Sequence, residues 1–357
     1  MPKFELNQRI KLADHYIGKD DPVYIVAEMS ANHNNDYGRA IEIIHAAKEA
    51  GADAVKLQTY TADTMTIDSD KSYFQIDGGT LWDGMTLYKL YQQAYTPWEW
   101  QPRLMEEANK LGMDCFSTPF DKTSLDFIEG MNVPAIKIAS YEITDIPLIR
   151  MCASKKKPII LATGVARPYD IRLAIEACVQ EGNKDIVLLK CVSAYPTPYE
   201  DVNLNMIRGL AEEYGCVMGL SDHTMGWTVP IAAVALGARM VEKHLTLRRA
   251  DGGADSAFSM EPEEFAEMVK SIRITEKALG DSEYKLTPFQ EKEREGARSL
   301  FVVEDIKKGQ ALTSENIRSI RPQQGSGLAP IEYENVIGKI ASKDLFRGEP
   351  LHKEDFC

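Results

Sequence analysis

Short apolar runs alternate with amphipathic stretches over the first 280 residues. The runs cover residues 23–30, 54–60, 113–118, 135–140, 158–163, 185–192, 217–221 and 240–245. Each is nearly continuous in apolar or β-branched residues, the pattern of parallel strands covered on both faces. Between several of them the apolar positions recur at helical spacing. Residues 37–50 place Ile41, Ile44 and Ala47 on one face and close at Gly51. Residues 97–111 start with Thr96 as cap and Pro97 in the first turn, and stop at Gly112. Residues 169–180, 204–214, 228–236 and 262–279 follow the same logic. Eight strands alternating with helices predict an α/β fold, a (β/α)8 TIM barrel, with a doubly wound open sheet as the structural alternative.

Two stretches break the rhythm. Residues 61–95 are too long for a barrel connection and carry Asp, Gly, Tyr and Trp. Long βα loops at the C-terminal face of a barrel usually carry substrate contacts. After Gly280 the composition changes. Residues 281–296 are charged and predict a linker; residues 297–357 predict a second, small unit, leaving 1–280 to the barrel. That unit holds an internal echo between residues 304–317 and 343–356: an acidic-apolar start, a basic-Gly turn, an apolar residue and an acidic end. Two such halves predict a pseudo-symmetric fold of short strands and turns. Its core must be thin, so docking or dimer contact is expected.

Composition narrows the function. The formal charge is −13, with 44% hydrophobic and 27% charged residues. An acidic balance argues against non-specific nucleic-acid or anionic-membrane binding, both of which need a positive field. No apolar run approaches the roughly 20 residues of a membrane span, and residues 1–20 lack the apolar core of a signal peptide. Six cysteines without CxxC spacing predict free, buried thiols in a reducing cytoplasm.

In a barrel, polar residues at strand C-terminal ends point into the active-site mouth. Here they are numerous: Glu28, Lys56, Gln58, Ser117, Thr118, Lys137, Ser140, Thr163, Ser193, Ser221, Asp222, His223, Glu242 and His244, with Glu142 and Tyr195 just beyond. Lys56 and Lys137 interrupt apolar strands, so each must pair with a carboxylate such as Glu28 or Glu242, or face a polar cavity. Hydroxyls at equivalent strand ends (Thr118, Ser140, Ser193, Ser221) favour an anion clamp. His223 and His244 end adjacent strands, about 5 Å apart. Beside Asp222 and Glu242 they predict an open divalent site, for which Zn, Mn, Fe and Co all remain chemically possible. His45, His15 and His352 carry no such signal, and His33 suits either a substrate contact or loop support.

Seven stretches in order resemble one enzyme family. They are Ile-Val-Ala-Glu-Met-Ser-Ala-Asn-His ending at His33, Ala-Ala-Lys-Glu-Ala-Gly-Ala-Asp-Ala-Val-Lys-Leu-Gln ending at Gln58, Phe-Ser-Thr-Pro-Phe ending at Phe120, Ile-Lys-Ile-Ala-Ser ending at Ser140, Tyr-Pro-Thr-Pro from Tyr195, Gly-Leu-Ser-Asp-His-Thr ending at Thr224, and Glu-Lys-His ending at His244. Together they resemble the sialic acid synthases, which make N-acetylneuraminate, legionaminate and pseudaminate, and residues 297–357 resemble their antifreeze-like (SAF, β-clip) tail domain. The resemblance implies that Lys56, Thr118, Lys137, Ser140, Ser193 and Ser221 hold phosphoenolpyruvate. It implies that His223 and His244 bind a divalent metal, usually manganese, and that Glu28, Gln58, Tyr195 and Asp255 contact the sugar or intermediate. Arg321 would reach the barrel of the partner in a domain-swapped homodimer. Ala162 departs from the relatives that carry Ser there, leaving Thr163 and backbone amides to compensate.

Within the family, the stretches Gln58–Thr64, Leu81–Tyr88 and Tyr95–Trp100 look more like pseudaminate synthases than neuraminate synthases. Their aromatics suit a deoxy sugar, whose methyl group prefers apolar contact. The implied reaction condenses phosphoenolpyruvate with 2,4-diacetamido-2,4,6-trideoxy-L-altrose and water, giving a nonulosonic acid and phosphate. Glu28 is the first candidate to manage the water, and Glu142 the reserve. The same chemistry on a legionaminate or neuraminate precursor stays open. So do a Schiff-base aldolase built on Lys137 or Lys56 and a non-catalytic sugar-binding protein.

Overall fold

The computed structural model describes residues 4–280, 282–323 and 327–357. A hairpin, β1 (Arg9–Leu12) and β2 (His15–Gly18), comes first. The barrel strands follow: β3 (Tyr24–Glu28), β4 (Ala54–Thr59), β5 (Asp114–Pro119), β6 (Ile136–Ile138), β7 (Ile159–Ala162), β8 (Ile186–Cys191), β9 (Val217–Asp222) and β10 (Met240–His244). Among the described residues these eight pair in parallel in sequence order, and β10 returns to β3 with His244 opposite Glu28. The ring is closed, which excludes the open sheet. Each strand lies within two residues of its predicted bounds, because runs buried on both faces carry a strong apolar signal.

The outer layer holds α1 (Tyr37–Glu49), α2 (Ala62–Met65), α3 (Leu87–Ala94), α4 (Gln101–Lys110), α5 (Lys122–Gly130), α6 (Ile146–Ser154), α7 (Pro168–Gln180), α8 (Met206–Tyr214), α9 (Thr228–Ala235) and α10 (Pro262–Leu279). Four of these, α2 and α3 within segment 61–95 and α5 and α6 on the outer layer, lie outside the helices the spacing predicts. Both α5 and α6 are only 9 residues long, and α6 is apolar almost all round, so neither shows a clear 3.6-residue stripe. The helix expected from Pro97 starts instead at Gln101, after a 3-10 turn at Trp98–Trp100. Thr96 does not cap it; its hydroxyl meets His33 Nε2 at 3.0 Å.

The hairpin closes the N-terminal end of the barrel. Ile10, Leu12 and Ile17 are buried in the same core cluster as Tyr24 and Ala54, which begin their strands. His15 Nδ1 lies 2.8 Å from Asp114 Oδ2, and Tyr24 donates to the same oxygen at 2.6 Å. With that end sealed, the opposite end is left for a site.

Residues 281–357 form a second unit. The stretch 281–296, expected as a linker, contains α11 (Pro288–Glu293), with Thr287 accepting from Gln290 N at 3.2 Å; Asp281 lies outside the described residues. Strands β11 (Ser299–Val302) and β12 (Ile317–Ile320) pair antiparallel, and α12 (Tyr333–Val336) follows. The sequence echo is a structural one. Ile306 and Leu345, equivalent in the two halves, exchange backbone hydrogen bonds at 2.9 and 2.8 Å. Gly309 and Gly348 take the same left-handed turn, with φ of 86° and 94°. Asn316 accepts from Thr313 N as Asp355 accepts from His352 N. Leu300, Leu312, Ile317 and Leu351 fill the small core between the halves.

Candidate active site

The C-terminal ends of the barrel strands open into a cavity of ≈ 980 Å³. Its floor is polar. Lys56, Gln58, Lys137, Ser140, Ser193 and Ser221 line it, with Tyr195, His223, His244 and Asp255 alongside. Glu28 and Thr118 are not on the lining, nor are Ser117, Thr163 and Asp222. Glu28 is fully buried beneath Lys56, its Oε2 2.5 Å from the ammonium, and Thr118 is fully buried 3.4 Å from the same nitrogen. Arg321 belongs to the second unit, where it is exposed just after β12.

The two lysines are thus ion-paired and cavity-facing at once. Glu242 Oε1 lies 3.7 Å from Lys56 and 3.8 Å from Lys137, and accepts from Ser221 at 3.0 Å. Burial opposes ionisation of Glu242, but the Lys137 and Lys56 ammoniums hold its pKa below the usual value. Burial lowers Lys137 and raises Glu28. Two ammoniums and two carboxylates balance in the floor. Glu28 stands behind Lys56, whereas Glu242 lines the cavity between the two lysines, so an anionic ligand meets two ammoniums and one carboxylate held by Ser221.

A tight cradle lies beside this floor. A Cβ on Gly164 would sit 2.2 Å from Ser193 Oγ and 2.6 Å from Ser140 Oγ, so only glycine fits. Gly164 N donates to Ser140 Oγ at 3.0 Å. Ser193 Oγ is buried and meets no hydrogen-bond partner among the described residues. An unsatisfied buried hydroxyl next to paired hydroxyl and amide groups is the signature of a polar ligand site. Thr163 does not compensate for Ala162: its hydroxyl donates to Leu189 O at 3.0 Å. Ala162 itself lines the cavity.

The His223 and His244 rings stand 5.3 Å apart. His223 Nδ1 lies 2.9 Å from Val192 O, which makes Nδ1 the donor and leaves Nε2 a lone pair. His244 Nδ1 is buried without a hydrogen-bond partner among the described residues. Burial first, then the positive charges of Lys56, Lys243 and Lys137, push His244 well below the ordinary 6.5, into the neutral form a metal requires. The two imidazoles therefore fit a divalent cation. The carboxylates expected next to them stand elsewhere. Alternation along the strands turns Asp222 and Lys243 away from the lumen, where they pair at 2.6 Å, and Glu242 faces the lysines. Asp255 is the nearby carboxylate, 3.9 Å from His244 Nδ1. Among the described residues no group of three or more His, Cys, Asp or Glu gathers as a ligand cluster, so a cation here would keep open positions.

A hydrogen-bond chain joins these parts. Gln58 donates to Glu28 at 3.0 Å and to Ser30 at 3.1 Å, and Ser30 donates to Asp255. Tyr195 packs against His223, its ring centroid 4.4 Å away. Glu142 lines the cavity, and burial pushes its carboxyl up to about 7 against the pull of Lys137. His33 is loop support: Asn35 N donates to Nδ1, and the ring meets Trp100 edge-on.

The upper wall was missed by reading strand ends alone. It comes from segment 61–95: Met65, Ile76, Trp82, Leu87, Leu90 and Tyr91, with Ala94. The spacing 87, 90, 91, 94 is an amphipathic signal that was available in the sequence.

Residues 43–284 match the NeuB family and residues 297–356 the SAF domain. The chain belongs to the NeuB family. It is similar to the pseudaminic acid synthase of Helicobacter pylori, with 49% identity over 94% of this chain and 98% of that one. It is also similar to the N,N'-diacetyllegionaminic acid synthase of Legionella pneumophila, with 39% identity over 94% of each. The N-acetylneuraminic acid synthetase of Leptospira borgpetersenii, solved in complex with citrate, superposes with a TM-score of 0.73 at 31% identity, covering 81% of this chain and 95% of that one. A NeuB-family chain with such relatives is an enzyme of the synthase type. Among the described residues no helix is long and apolar enough to cross a membrane.

Proposed function

We propose that this chain is a cytoplasmic pseudaminic acid synthase. It condenses phosphoenolpyruvate with 2,4-diacetamido-2,4,6-trideoxy-L-altrose and water, releasing phosphate, and so acts as a phosphoenolpyruvate-dependent transferase. The observation that carries this reading is the 49% identity to the Helicobacter pylori enzyme over 94% of the chain. The legionaminic acid synthase, at 39%, is more distant. Five buried free cysteines suit a reducing compartment.

Lys56 and Lys137 hold the phosphate and carboxylate of phosphoenolpyruvate, with Ser140, Ser193 and Ser221 supplying hydroxyls and Thr118 supporting Lys56. Gln58, Tyr195 and Asp255 face the sugar. His223 and His244 would hold a divalent cation, manganese, which when bound supplies Lewis-acid activation at the sugar aldehyde. The methylene carbon of phosphoenolpyruvate forms the new bond to the aldehyde carbon, and the aldehyde oxygen takes up a proton. Water adds to the middle carbon of the three-carbon unit and loses a proton; the C–O bond to phosphate then breaks as the new hydroxyl becomes the keto oxygen, its proton leaving with the phosphate. We assign the proton from water to Glu142, the reserve candidate, rather than to Glu28, which is off the lining; supporting this, Glu142 lines the cavity and burial pushes its carboxyl up to about 7. Glu28 holds Lys56 and Gln58 in position.

The second copy in a domain-swapped homodimer supplies Arg321 to the sugar. Supporting this, Tyr141 after β6, Tyr169 in the first turn of α7 and Tyr199 after β8 are exposed at the cavity end of the barrel. Such an apolar collar suits burial against another chain.

Mass analysis of the reaction with the altrose acceptor tests the function. The expected product carries the acceptor plus the three carbons of pyruvate. Formation of that adduct only from N-acetylmannosamine would reject the pseudaminate reading.

A further inference from the structure

The polar floor accounts for phosphoenolpyruvate, but the apolar wall from segment 61–95 remains unexplained. Helix α3 (Leu87–Ala94) is amphipathic, begins at Thr86 as cap, and has no buried residue. Its apolar stripe, Leu87, Leu90, Tyr91 and Ala94, points into the cavity rather than into a core. Leaving four apolar side chains at i, i+3, i+4 and i+7 half-exposed costs stability unless something covers them. What can cover them is whatever fills the cavity, because the stripe and the lysine floor line one volume.

The segment that carries the stripe is anchored to the floor. Trp82 Nε1 donates to Ala254 O at 3.0 Å, next to Asp255, and the Trp82 ring packs on Tyr195. Gln75 and Thr86 form a bridge at the base of the helix, and Tyr88 donates to Asp63 at 3.2 Å. The wall is therefore set relative to the sugar-facing groups. Phosphoenolpyruvate, small and highly charged, belongs at the lysines. The acceptor is the substrate that reaches the wall.

We propose that the α3 stripe is the acceptor-specificity element: Leu87 and Leu90 read the methyl carbon at position 6 of a deoxy acceptor. This rests on the pseudaminate reading above. A hydroxyl at that carbon would be desolvated against Leu87 and Leu90 without a partner, whereas a methyl gains contact. Apolar pockets separate substrates that differ by one such group by ~10- to 200-fold.

The test compares the 6-deoxy acceptor with its 6-hydroxy counterpart, in the wild-type protein and in Leu87→Gln and Leu90→Gln. Glutamine keeps helix propensity, and both positions are half-exposed, so folding should hold; circular dichroism checks it. Lys89→Gln, on the outward face, is the control. The expected result is a ~10- to 100-fold fall in kcat/KM for the deoxy acceptor, a smaller fall for the hydroxy one, an unchanged KM for phosphoenolpyruvate, and no effect of Lys89→Gln. A wild-type preference for the deoxy acceptor that survives both substitutions overturns this proposal and leaves the function standing. Wild-type protein that ignores the deoxy acceptor and turns over N-acetylmannosamine overturns both.

Discussion

Lys56 Nζ stands 2.5 Å from Glu28 Oε2, and both side chains are almost wholly withdrawn from water. Taking two charges out of water is costly, and removing one partner leaves the other uncompensated. Glu242 Oε1, 3.7 Å from the same ammonium, supplies a second counter-charge. Glu28→Gln should therefore fold and bind metal but lose most turnover, on the order of 100-fold. The loss arises because Lys56 and Gln58 lose the group that orients them. Steady-state phosphate release beside a far-ultraviolet spectrum checks this; near-normal turnover would remove Glu28 from the account.

Glu142 makes a pH prediction. Its carboxyl titrates at about 7, against an ordinary 4.5, chiefly because it is buried. As the base for water it must be ionised, so kcat should rise with pH through about 7. Glu142→Gln should be slow and should lack that limb. Stability moves the other way. Between 4.5 and 7 the native state keeps a proton that the unfolded chain has released, so stability falls as pH rises through this window. Above 7 the cost is complete, on the order of 2–4 kcal/mol. Glu142→Gln should then be more stable than the wild type at pH 8 and near equal at pH 4. A pH profile that keeps its limb in the variant contradicts the assignment.

Lys243 and Asp222 pair on the outer side of β10 and β9, fully buried. Thr224 N and Oγ1 both donate to Asp222, and Lys243 donates to Thr224 O, so the pair fixes the turn that carries His223. Lys243→Met leaves Asp222 charged and unpaired, and should cost about 3–5 kcal/mol. It should also weaken metal binding. The double variant with Asp222→Asn should recover part of the stability. Urea midpoints and metal titration of the three variants measure both effects, and an unchanged midpoint in Lys243→Met would refute a structural role.

Much of the barrel was legible because strands buried on both faces leave unbroken apolar runs, and lysines within them stand out. Lys56, Lys137, His223 and His244 were found that way, and the structure brings all four to one cavity. Side-chain direction was less legible. Asp222 and Lys243 sit next to lumen residues in sequence but face outward, since successive strand residues alternate. Thr163 likewise spends its hydroxyl on Leu189 O. The wall formed by α3 is hidden for another reason: segment 61–95 breaks the barrel rhythm as a long connection, and its helical stripe serves a cavity instead of a core.

The central claim is metal-dependent condensation on a deoxy amino-sugar. Phosphate release from phosphoenolpyruvate is measured after chelation and again after manganese is restored. Three acceptors run in parallel: 2,4-diacetamido-2,4,6-trideoxy-L-altrose, its legionaminate-route counterpart and N-acetylmannosamine. The account predicts release with the altrose compound, lost on chelation and restored by manganese. Release that survives chelation, or none with any acceptor from folded, metal-loaded protein, would contradict it.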